Sequence, residues 1–124
     1  MNILVGVTQE QSSMLSSNTI CIARTDSIEE LREIYSISDV YINPTIEDNY
    51  PTTNLEAQCC LTPCLTYKTG GSPESVPKEN IIEKMDAQRL MEKNFTSNPI
   101  NKVNQFDMQY MIVKYLKIYR NNCN

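Results

Sequence analysis

The feature that most limits the fold of this chain is a series of short apolar runs with helical stretches between them. Ile3-Leu4-Val5-Gly6-Val7, Thr19-Ile20-Cys21-Ile22-Ala23, Val40-Tyr41-Ile42-Asn43 and Cys64-Leu65-Thr66-Tyr67 are the clearest of these runs. A short continuous apolar run is the pattern of a strand buried on both faces. Between the second and third runs, Ile28, Leu31, Ile34 and Tyr35 follow helical spacing. Asp26 and Ser27 precede them as cap residues, Glu29 and Glu30 fill the first turn, and the helix should end near Ser38. Between the third and fourth runs, Pro51 is placed as the first residue of a helix carrying Leu55, Glu56, Ala57 and Cys59 and ending near Leu61. Strands that alternate with helices predict an α/β fold, Rossmann-like, with a mainly parallel sheet and helices on both faces.

The remaining segments fill in around that frame. Residues 8–17 are polar and read as a connection. Pro44 stops the third strand, and a polar loop covers residues 45–50. Pro63 marks the helix exit. Thr69-Gly70-Gly71-Ser72-Pro73-Glu74 is a tight turn leading into a short helical turn. Residues 80–83 suggest a fifth short strand and residues 86–94 a helix. A last helix over about 105–119 places Phe106, Tyr110, Val113 and Leu116 on one face. Tyr35, Tyr110 and Tyr115 read as core-facing.

At 124 residues the chain has the size of one small domain, 1–124. Its 40% apolar and 21% charged content is ordinary for a globular protein. A net charge of -4 argues against nucleic acid or an anionic membrane as a main partner, since both require clustered Lys and Arg. No apolar run approaches the ~20 residues of a membrane span, and no signal peptide is visible. Five cysteines, an odd number without a CxxC pair, and no histidine fit a reduced, cytoplasmic chain without a zinc site. Cys59, Cys60 and Cys64 then serve as small packing residues.

In parallel α/β sheets, ligands bind beyond the C-terminal strand ends. The loops at residues 23–27, 43–54 and 68–74 are therefore the ones to examine. Asn43-Pro44-Thr45-Ile46-Glu47-Asp48-Asn49-Tyr50-Pro51-Thr52-Thr53-Asn54-Leu55-Glu56-Ala57 joins a strand end, an acidic loop and a helix start. Free backbone N–H groups at Thr52, Thr53 and Asn54, with the helix dipole behind them, would attract an anion such as a phosphate. Glu56, one turn further in, could accept from two vicinal hydroxyls of a ribose. Asp48 reads either as a sugar contact or as a loop residue that caps the helix. Glu47 reads as its solvated neighbour. Gly70 and Gly71 read as turn glycines, a role compatible with ligand contact.

This segment resembles the signature of the retaining glycosyltransferases called family 4, in which two acidic residues are separated by seven others. Asp48 and Glu56 have that separation. Thr62-Pro63-Cys64 resembles the family's Thr-Pro-Val, and residues 69–74 its Gly-Gly and Pro-Glu turn. Residues 31–43 and 106–119 resemble its helix–strand unit and tail helix. The resemblance implies the C-terminal donor-binding domain of a GT-B fold, which takes a nucleotide diphosphate sugar in retaining transfer, in polysaccharide biosynthesis. Glu56 would bind the ribose, Asp48 the transferred sugar, Thr52 and Thr53 the diphosphate, and Arg24 would lie near the base. No metal and no other cofactor would be needed.

Three departures stand out. The first acidic position is Asp rather than Glu, with Glu47 as its substitute. Leu61 occupies a helix-end position usually held by Gly, which adopts the left-handed conformation freely. The family's diphosphate-clamping Arg and Lys, its first strand–helix unit and its N-terminal acceptor domain would all precede Met1. That expectation implies a chain with little activity alone, prone to self-association or to pairing with a separate N-terminal-domain chain. The alternative is a non-catalytic nucleotide-binding or assembly subunit.

Overall fold

A computed structural model describes residues 1–86, 88 and 107–122. The chain divides into two compact units, Met1–Ile34 and Tyr35–Asn124.

In the first unit, strand β1 (Asn2–Val5) pairs in parallel with β2 (Thr19–Ile22), Asn2 opposite Thr19 and Val5 opposite Ile22. The stretch expected to be a plain connection contains helix α1 (Gln9–Ser13). Its cause is local: Thr8 Oγ1 accepts from the Gln11 N–H, and Gln11 returns a bond to the Thr8 N–H, forming a capping box. That Thr-x-x-Gln signal was present in the sequence. Gly6, with φ +86°, turns the chain out of β1. The strands are not buried on both faces as expected: Leu4, Val5 and Ile20 are exposed. An apolar run sets the strand, but only the elements packed around it decide what it buries.

Helix α2 (Ile28–Ile37) ends where its spacing placed it. Ser27 Oγ accepts from the Glu30 N–H, and Glu30 Oε2 accepts from the Asp26 N–H at 2.7 Å, so both expected cap residues take part.

In the second unit, β3 (Tyr41–Asn43), β4 (Cys64–Tyr67) and β5 (Ile81–Ile82) form a parallel sheet in the order β3-β4-β5. Asn43 lies opposite Thr66, and Thr66 opposite Ile81. All four residues of central β4 are buried, as its apolar run implies. Leu65, Tyr67 and Ile82 form the core, with Val40 and Ile42 packed against it. Helix α3 (Thr52–Cys59) connects β3 to β4, as a parallel pairing requires, and a 3-10 turn (Ser72–Ser75) follows β4. The fold is thus α/β with parallel strands. Of the cysteines read as packing residues, Cys64 is buried and Cys60 half-buried, but Cys59 is exposed because it lies on the outer face of α3.

Helix α4 (Met108–Asn122) occupies most of the expected last helix, yet Tyr110, Val113, Tyr115 and Leu116 are all exposed rather than core-facing. Phe106 and the helix expected over 86–94 lie outside the described residues, save for Asp86 and Gln88. Among the described residues no helix is long and apolar enough to cross a membrane.

Candidate functional site

The candidate site grows from the start of α3. Pro51 has φ -72° and ψ 112°, so it is the N-cap and Thr52 the first helical residue, one later than expected. Proline offers no side-chain acceptor, and the helix begins without a side-chain cap. The Asn54 N–H turns back to the Pro51 carbonyl at 3.2 Å and so is not free. The Thr52 and Thr53 amides have no hydrogen-bond partner among the described residues. Two of the three expected N–H groups therefore remain to meet an anion at the positive end of the helix.

Asn54 holds the site from beneath. Its side chain is fully buried, accepting from Asn43 Nδ2 and donating to Ser75 Oγ, both at 2.8 Å. Gln58 Nε2 donates to the carbonyls of Asn54 and Ser75. One polar network thus binds the end of β3, the first turns of α3 and the turn after β4. Gln58 Oε1 is buried without a partner among the described residues, but the bonds that Asn43, Asn54, Gln58 and Ser75 do make tie the helix start to the strand end and the turn.

The acidic loop is held from the other side. Asp48 Oδ1 accepts from the Tyr50 N–H at 3.0 Å, so this carboxylate orders its own loop and does not cap α3. The Asp48 carbonyl accepts from the Gly71 N–H at 3.2 Å, and the Ile46 carbonyl from Thr69 Oγ1 at 2.6 Å. A Cβ on Gly70, which has φ +48°, would collide with the Asp48 carbonyl, and one on Gly71 with the Asn49 carbonyl. These glycines are set by close approach of two backbones. Asp48 is half-buried and Glu47 exposed.

Glu56 is exposed on the second turn of α3, and Tyr35 donates its hydroxyl to Glu56 Oε2 at 3.4 Å. Tyr35 is buried and meets the Tyr41 ring edge-on at 5.4 Å between centroids. Tyr41 in turn shares a side-chain hydrogen bond with Thr53. Burial first, then the neighbouring Tyr41 and Glu56, push the Tyr35 phenol well above its ordinary value, so it stays a proton donor at neutral pH. Burial likewise raises Tyr41. Sequence spacing marked Tyr35 as a core residue but missed its hydroxyl, whose partner lies 21 residues away.

Asp48, Thr52, Thr53 and Glu56 thus gather around one helix start in the second unit. Arg24 is exposed in the turn after β2, in the first unit. In that unit Val7, Thr8, Gln9, Ser12, Cys21 and Ala23 line an open depression of about 300 Å³ beyond the strand ends.

Parallel strands, a polar helix start and an acidic loop facing it define the class of α/β domains that work at their C-terminal strand ends. Residues 8–94 match the family model described as glycosyl transferases group 1, and the chain belongs to that family. Its chemistry is accordingly glycosyl transfer. A comparison with curated proteins finds no match.

Proposed function

We propose that the chain binds the nucleotide-sugar donor of a retaining, family 4-type glycosyltransferase that builds polysaccharide. What carries this reading is the order along α3: two free amides at Thr52 and Thr53, then the exposed Glu56 carboxylate held through one oxygen by Tyr35. The amides and helix dipole suit a diphosphate. The carboxylate keeps lone pairs for the vicinal hydroxyls of a ribose. Asp48, with Glu47 beside it, faces the transferred sugar. Side chains and the helix dipole stabilise the leaving diphosphate, so the transfer needs no metal.

Calorimetry with UDP, GDP and ADP on the wild type, Glu56→Ala and Tyr35→Phe tests this. We expect one nucleotide to bind, Glu56→Ala to weaken it at least tenfold, and Tyr35→Phe to weaken it less. Losing a charge-assisted hydrogen bond costs about 1.5–3 kcal/mol, which is tenfold or more. No binding by any of the three nucleotides would overturn the donor site. Binding indifferent to Glu56→Ala would overturn the ribose role alone.

A further inference from the structure

Helix α4 carries a second surface, unrelated to the candidate site. At 3.6 residues per turn, Met108, Ile112, Tyr115 and Tyr119 recur at the spacing of one helix face, with Met111 and Leu116 on its edges. All six are exposed, from 39% at Ile112 to 64% at Met108 and Tyr119. Lys114 and Arg120 border this arc on opposite sides, and Lys117 lies across the helix from it. No acidic residue interrupts positions 108–122. Of the face expected from Phe106, Tyr110, Val113 and Leu116, Tyr110 and Val113 lie on the cationic side with Lys117 and Arg120, while Leu116 lies at the edge of the apolar arc. Lys114 Nζ sits 4.7 Å from the centre of the Tyr110 ring.

We infer that α4 lies on an anionic lipid surface, apolar arc inward. Three features select this occupant. The bordering cations are long enough to reach the headgroup plane while their stems stay over the apolar layer. Tyr115 and Tyr119 are amphipathic rings suited to that boundary. A second copy of the helix would bring the same three cations to both sides of the contact against one acid per helix, Asp107 at its start, which disfavours self-pairing. The chain's overall charge of -4 does not oppose this, because it averages an acidic remainder with a helix that is wholly cationic.

The test is co-sedimentation of the full chain with phosphatidylcholine vesicles, with or without about a third phosphatidylglycerol, where each surface cation is worth roughly fivefold. With Lys114 and Arg120 at the surface, we expect the anionic vesicles to bind about 25-fold more tightly than the neutral ones, with the advantage falling steeply in high salt. Replacing Lys114, Lys117 and Arg120 together with Gln should erase that preference. These are exposed polar exchanges, and far-UV circular dichroism checks that the helix persists. Since the chain has no tryptophan, Tyr115→Trp provides a single reporter whose emission should shift to the blue on binding. No binding to anionic vesicles overturns the inference. So does equal binding to both vesicle types, or a dimer by sedimentation velocity that Leu116→Ser dissolves.

Discussion

Replacing Leu61 isolates one piece of stored backbone strain. Leu61 has φ 63°, in the left-handed region, where it ends α3. Its N–H reaches the Gln58 carbonyl and the Thr62 N–H reaches the Ala57 carbonyl, both at 3.0 Å, which is the bonding pattern of a Schellman end. The left-handed conformation costs an L-residue about 1–2 kcal/mol. Glycine escapes that cost but yields about 0.4–1 kcal/mol through its looser unfolded chain. The Leu61 side chain is 68% exposed, so truncating it forfeits about a third of a leucine's burial, roughly 0.5–1 kcal/mol. Leu61→Ala loses that burial and keeps the strain. Leu61→Gly loses the same burial and releases the strain. The comparison is therefore Gly against Ala, and glycine should be the more stable by about 0.5–1 kcal/mol. In thermal denaturation followed by circular dichroism this is a difference of about 2–6 °C. An alanine variant equal to or more stable than the glycine variant would refute the claim that Leu61 is strained.

Two further outcomes follow from the same packing. Gly70→Ala should destabilise the chain by about 1–3 kcal/mol in urea unfolding, because its Cβ would meet backbone at the Asp48 carbonyl, which cannot rotate away. A smaller loss would mean the two loops are not in close contact. Burial pushes the Cys64 thiol up from 9.0 to about 12. A group raised in the folded state gives its full stability below the unfolded value and loses it on ionising the unfolded chain. Stability should then fall from pH 9 towards 12 by about 1.4 kcal/mol per pH unit for this group. Cys64→Ala should flatten that slope in urea titrations at pH 8, 9 and 10, whatever it does to stability at neutral pH.

What the sequence determined by itself is local. The apolar runs placed β3 and β4, and cap residues around Ser27 placed the start of α2. Leu61 at a helix-end position that favours Gly pointed to either a different helix exit or strain, and its left-handed φ of 63° decides for strain. Even α1 was legible in its capping box. These features depend on residues three or four apart, whose geometry the backbone fixes.

Only the tertiary structure decided the rest. It separated the parallel strands into β1-β2 and β3-β4-β5. It turned Asn54 from an expected ligand contact into a buried post between Asn43 and Ser75, and gave Glu56 its partner in Tyr35. It left the apolar face of α4 exposed, where periodicity alone suggested a core. Each of these depends on groups brought together from distant parts of the chain, or on the lack of cover over a face. Amphipathic spacing states that a face is apolar, but packing decides what that face meets.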